Sequence, residues 1–148
     1  MSNKNEFHRE LMHCFYTLNA AERQAMSEVT NLSLNDLHII EAVYDSLSTS
    51  SNNFTTIANK LGVTLGTLST SFKKLEAAGY LKREKYLVDQ RVYYIKPTKK
   101  AEAIHKFHMK WHQDIIDQST DPTRYEDFIN IFKGFSNTFT NILTKPKE

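Results

Sequence analysis

The sequence predicts a mainly α-helical protein with one small β-hairpin, and three observations carry that prediction. Apolar residues recur at alternating spacings of four and three near both ends of the chain. Between them, FTTIANKLGVTLGTLSTSFKKLEAAGYL sets two short amphipathic helices apart with glycine. The stretch that follows, YLKREKYLVDQRVYYIKPT, is rich in β-formers on either side of a short polar break.

The first predicted helix carries Phe7, Leu11, Cys14, Leu18, Ala21 and Ala25, a narrow stripe of coiled-coil type. The second runs from Leu34 to Leu47, with Ser33 as N-cap and Leu37, Ile40, Val43 and Tyr44 facing inward. A polar loop, SLSTSSNN, follows it. Ile57, Ala58 and Leu61 form the inner face of the next helix, and Gly62 supplies the left-handed residue that ends it. Val63 fills the turn and Thr64 caps a second helix, whose Leu68, Phe72 and Leu75 return to the core before Gly79 closes it. Small Ala58 lets the two helices cross closely, so this is a helix-turn-helix. Tyr80–Leu87 and Arg91–Lys96 then pair as a hairpin around Val88-Asp89-Gln90. A helix from Glu102 to Asp117 carries Ile104, Phe107, Trp111 and Ile115 on one side. The last helix opens at Asp121–Pro122 and repeats the rhythm at Phe128, Phe132, Phe135, Phe139 and Ile142.

The order of elements is that of a winged helix-turn-helix flanked by helices. Residues 34–101 are expected to form the DNA-binding domain, and residues 1–33 with 102–148 a helical dimerisation region. A chain of 148 residues has too little core to cover both terminal stripes, so a second copy is expected to cover them in a homodimer.

Composition narrows the function classes. The chain is 40% hydrophobic and 24% charged, within the range of ordinary globular proteins. No apolar run approaches the ~20 residues of a membrane helix, and the N-terminal MSNKNEFHRE lacks the apolar region of a signal peptide. A cytoplasmic protein without membrane partners is expected. The single Cys14 builds no disulfide framework, and its place in a helix stripe reads as a small core residue rather than a nucleophile. The chain lacks a phosphate-binding glycine loop, a G-x-S-x-G elbow and an H-E-x-x-H helix, so an enzyme is not expected, nor is a cofactor.

Charge points instead to a polyanion. The net charge is +2, yet residues 73–100 hold nine basic and three acidic side chains, leaving the remainder acidic. At about 100° per residue, Gly66, Thr70 and Ala77 point away from the core side of the second helix, with Thr67, Lys73 and Lys74 flanking them. Small residues admit such a helix into a major groove, threonines can contact base edges, and lysines can hold phosphates. Thr64, at the start of that helix, belongs to the same face. In the wing, Arg83, Lys85, Asp89 and Arg91 are the candidate DNA-binding residues, Arg91 near the tip for a narrow minor groove. Asp89 is placed to orient that arginine or brace the wing.

Arg83, the Asp89-x-Arg91 pair and the closing Ile95-Lys96-Pro97-Thr98 resemble the MarR family of winged-helix regulators, as does the order of elements along nearly the whole chain. Pro97 and Ala101 depart from the family pattern, where leucine and glycine are usual. Within the family, Val63–Arg83 (VTLGTLSTSFKKLEAAGYLKR), His38 and the IHKFHMKWH segment are similar to FabT-type repressors of fatty-acid biosynthesis. The resemblance implies a repressor on a palindromic duplex operator, with long-chain acyl-acyl-carrier-protein as corepressor. It also implies an acyl-chain slot, for which Phe15, Leu18, Phe107 and Trp111 are the candidate lining and His38 and His108 the candidate polar mouth.

His105, His108 and His112 fall at i, i+3 and i+7 of one helix, near enough for two imidazoles to share a metal with His38, Glu41 or Cys14. Packing and hydrogen bonding is the first reading of these histidines, the acyl pocket the second and metal the third. A regulator of another regulon, responsive to zinc or a small molecule, is therefore the alternative, and no residue is assigned as a metal ligand.

Overall fold

The structure, a computed structural model, describes residues 3–144. The chain divides into two compact units, one ending at His108 and the other beginning at Met109.

The first unit contains α1 (Asn3–Ser27), α2 (Leu34–Leu47), α3 (Phe54–Leu61), α4 (Leu65–Ala77), β1 (Leu81–Lys85), β2 (Tyr93–Pro97) and the start of α5 (Lys99–Ser119). Each start has a chemical cause. Ser33 caps α2 in a reciprocal box: its Oγ accepts from the Asp36 amide at 3.2 Å, and Asp36 Oδ2 accepts from the Ser33 amide at 3.0 Å. Asn53 caps α3 by accepting from the Thr56 amide at 2.9 Å. Gly62 ends α3 at φ +66° and Gly79 follows α4 at φ +79°, conformations that an L side chain rarely adopts.

The core lies where α2, α3 and α4 meet the hairpin. Val43, Ile57, Leu68, Phe72, Leu75, Ile95 and Ala101 are fully withdrawn from water. At roughly 1.5–3 kcal/mol per large side chain, this cluster is the main stabilising term of the unit. The Phe54 ring meets Phe72 edge-on, with centroids 4.9 Å apart.

The wing is shorter than its β-rich composition predicts. β1 and β2 pair antiparallel from Leu81↔Pro97 to Lys85↔Tyr93, and Tyr86 to Val92 form the loop. Within the loop, Asp89 and Gln90 favour a turn over a continued ladder. Pro97 fits because it closes the strand, where the loss of one N–H donor costs little. A third backbone segment joins the sheet unannounced by the sequence. The Ile95 amide donates to Asn52 O at 2.8 Å, and Asn52 Nδ2 donates to Ile95 O at 2.7 Å.

Within the single chain, the buried residues of α1 are Glu22 and Met26; Leu18 of the stripe is exposed, as is Cys14, expected to be a core residue. In α5, which begins three residues earlier than expected, Ala101 and His108 are the buried residues and Phe107 is exposed. A helix long enough to carry two faces leaves the choice between them to tertiary packing.

In the second unit, Asp121 caps a 3₁₀ turn at Pro122–Arg124 before α6 (Tyr125–Thr144), so the last helix begins three residues later than its proline predicts. Asp121 Oδ1 accepts from the Thr123 amide at 2.9 Å. No residue of α6 is buried, and Phe132, Phe139, Ile142 and Leu143 are among its exposed apolar side chains. No helix among the described residues is long and apolar enough to cross a membrane.

Candidate nucleic-acid interface

Helix α4 presents two chemically distinct faces. Leu68, Phe72 and Leu75 anchor it in the core, and Gly66, Thr67, Thr70, Lys73 and Ala77 are exposed. Thr64 is exposed as well, and its hydroxyl has a structural duty: Oγ1 accepts from the Thr67 amide at 3.1 Å and caps the helix. Thr70 Oγ1 donates to Gly66 O at 3.1 Å, which leaves its lone pairs free to accept from a partner.

Gly66 has no role in the fold. A Cβ built on it would meet only Thr64 Oγ1, at an ordinary 3.8 Å, and its φ is not in the left-handed region. A helical glycine costs up to about 1 kcal/mol relative to alanine. Close approach by a partner is a reason to carry that cost.

The basic residues sort into two groups. Lys73, Lys82, Lys85 and Arg91 are exposed, and no ion pair of theirs is found among the described residues. Arg91 is held by its backbone, whose amide donates to Asp89 Oδ1 at 3.0 Å. Asp89 thus braces the wing. Lys74 and Arg83, also expected on the DNA face, are exposed too, but each is engaged by a carboxylate of this chain. Lys74 Nζ lies 2.6 Å from the buried Asp36 Oδ2, tying α4 to the cap of α2. Burial raises the Asp36 carboxyl, but hydrogen bonds from Lys74 and Ser33 outweigh it and hold the group below its usual range.

Arg83 forks onto Glu76, with Nε and Nη2 at 3.2 and 3.1 Å from the two carboxylate oxygens. Its guanidinium also lies 5.0 Å from the Phe72 ring centroid. These contacts join β1 of the wing to α4.

Away from this face, three helices converge on one carboxylate. Glu22 Oε1 of α1 lies 3.2 Å from His38 Nε2 of α2 and 2.5 Å from His108 Nε2 of α5. Glu22 and His108 are buried. Burial pushes the Glu22 carboxyl up, but the hydrogen bonds from His108 and His38 outweigh it and hold it below its usual value. Glu41 Oε2 stands 3.8 Å from His108 Nδ1. The neighbouring His105 stacks on Tyr44, with centroids 3.9 Å apart, and burial lowers its pKa.

The candidate slot residues are placed as follows. Phe15 and Leu18 are exposed on α1, and Phe107 lines an open depression with Val29, Tyr80, Lys100 and Ile104. Trp111 belongs to the second unit, where its ring meets His112 edge-on. His38 and His108 are brought together, on Glu22. Sequence reasoning missed Glu22, although a glutamate midway between Leu18 and Met26 on one helix face was the available signal.

A capped helix with a small hydroxylated outer face, set beside a hairpin with unpaired cations, defines a winged-helix DNA-binding protein. A family model described as a winged helix DNA-binding domain matches residues 35–116, and the chain belongs to that family. More closely, its fold is the one shared by solved MarR family transcriptional regulators. The structure of Streptococcus pneumoniae FabT in complex with DNA is similar at TM-score 0.75 and 25% identity, covering 94% of this chain and 96% of that one. AbsC, a MarR family transcriptional regulator from Streptomyces coelicolor, shares the fold at TM-score 0.76 and 15% identity, covering 95% and 97%. A mutant MarR from E. coli, solved with operator DNA, shares it at TM-score 0.65 and 14% identity, covering 88% and 93%. No match is found among curated proteins.

Proposed function

We propose that this chain is a homodimeric repressor that reads a palindromic duplex operator with α4 and the wing, and controls genes of fatty-acid biosynthesis. The observation that carries the DNA reading is the outer face of α4, where Gly66, Thr67, Thr70 and Lys73 are exposed, together with the exposed Arg91 of the wing. FabT and MarR in their DNA complexes support the same assignment of the operator. The exposed apolar residues of α1 and α6 support a dimer built from residues 1–33 and 102–148 around the DNA-binding residues 34–101. Two α4 helices related by a two-fold would meet half-sites about one helical turn apart, ~10 bp.

The effector in this reading is a long acyl chain on an acidic carrier protein, acting as corepressor. Its support is the FabT-type resemblance together with the exposed Phe15, Leu18 and Phe107, which offer apolar surface to a chain. Each buried methylene adds about 0.8 kcal/mol, so such a site senses chain length. Titration of protein and operator with acyl-carrier proteins of increasing chain length tests it. Operator affinity rises with chain length and free carrier has no effect; no response to any acyl-carrier protein rejects the corepressor.

One observation favours a second reading, a zinc-responsive regulator. A carboxylate oxygen of Glu22 and ring nitrogens of His38 and His108 lie within 4.8 Å of one another, a donor set that suits zinc. In this reading, submicromolar zinc changes operator affinity and acyl chains do not.

A further inference from the structure

We infer that Leu87 and Val88, at the tip of the wing, pack on the apolar sugar walls of the minor groove that Arg91 enters. The inference rests on the DNA-binding reading above and extends it to residues outside the basic set. Leu87 is 95% exposed and Val88 84%, above every other large apolar side chain described as exposed. The loop that holds them is well bonded. The Tyr86 amide donates to Val92 O at 2.9 Å, and the Val92 amide to Asp89 O at 3.0 Å. The Tyr86 ring packs edge-on against Tyr94, centroids 5.2 Å apart, so the stem is pinned while the tip projects.

The surroundings select the partner. Lys85 and Arg91 flank the loop; its one acid, Asp89, accepts from the Arg91 amide at 3.0 Å, and Glu84 of β1 is paired with Lys96 at 3.4 Å. An apolar tip between cations matches a groove with C–H walls and phosphate edges, where proteins insert leucine-like wedges. Two side chains are far too small for a protein–protein interface of about 800 Å² per partner. This separates them from the long apolar faces of α1 and α6.

The test compares the full chain with the double variant Leu87→Ser/Val88→Ser, both exposed positions whose change leaves thermal melting and circular dichroism unaltered. The probe is a duplex selected by the wild-type protein from a randomised pool, followed by fluorescence anisotropy over a salt series. The double variant is expected to bind about tenfold more weakly at every salt concentration with an unchanged salt slope, because no phosphate contact is lost. Leu87→Ile/Val88→Ile is expected to keep wild-type affinity. Equal affinity of wild type and serine variant, with salt-dependent binding by both, overturns the wing-tip contact and leaves the DNA reading standing. Selection of no duplex by the wild type overturns the DNA reading itself. A change of sedimenting mass in the serine variant also overturns the inference, since the tip then belongs to a second copy.

Discussion

The Glu22 carboxylate of α1 and the His108 ring of α5 meet at 2.5 Å in the interior of the first unit, and neither side chain exposes more than 3% of its surface. The pair joins residues 86 positions apart in sequence. With His38 as third member it ties α1 and α5 to α2, which packs in turn on the DNA-binding helices. Any ligand that displaces one member of this set would alter how the helices carrying the DNA face are held.

Stability should therefore depend on Glu22 and on acid. Its folded pKa lies below the ordinary 4.5. The contribution is fully present above that value and is lost as pH falls through the folded pKa. Glu22→Ala is expected to cost about 3 kcal/mol at neutral pH, because two imidazoles lose their shared acceptor in a buried setting. Urea unfolding at several pH values checks this: the gap between wild type and variant narrows on acidification below pH 4.5.

Adjacent lysines should behave differently. Lys73→Ala is expected to lower duplex affinity across sequences and to reduce the salt slope by about one. Lys74→Ala is expected to leave the slope unchanged and to destabilise the fold by about 1 kcal/mol, since half-exposed ion pairs are screened by water but Asp36 loses a partner. Parallel anisotropy and thermal melting separate the two outcomes.

Arg83 belongs with Lys74. Arg83→Lys keeps the charge but not the fork onto Glu76 or the stacking on Phe72, and is expected to lower the melting temperature without changing the salt slope. The cost is about 1 kcal/mol or less, because both partners are partly exposed. A variant with wild-type stability and a reduced slope would return Arg83 to the DNA face.

Gly66→Ala should split stability from function. It is expected to raise stability by about 0.5 kcal/mol, as alanine is the better helix former and its Cβ makes only an ordinary contact with Thr64 Oγ1. Operator affinity is expected to fall, because that methyl group stands where α4 must approach the bases. Melting and anisotropy on the same preparation measure both.

Local chemistry made much of this fold legible. Ser33, Thr64, Gly62 and Gly79 mark helix ends by hydrogen-bonding capacity and φ alone, and the structure uses each as the sequence implies. Long-range pairing was not legible. Nothing near Asn52 announces that it will bond Ile95, and nothing near Lys74 announces Asp36. A basic residue in a sequence is a cation without a direction. Whether it meets a phosphate or an internal carboxylate depends on a partner 38 residues away for Lys74 and seven away for Arg83. The same applies to Cys14 and Leu18, whose stripe predicts a buried face that the single chain leaves exposed.

The most direct test of the central claim, that the free face of α4 and the wing grips duplex DNA, is the salt dependence of wild-type binding to its selected duplex. With Lys73, Lys85 and Arg91 on each protomer of a dimer meeting phosphates, about six counterion-releasing contacts form. Log affinity should then fall linearly with log salt at a slope of about −5. Binding that does not respond to salt, or no binding to any duplex at low salt, would contradict the account.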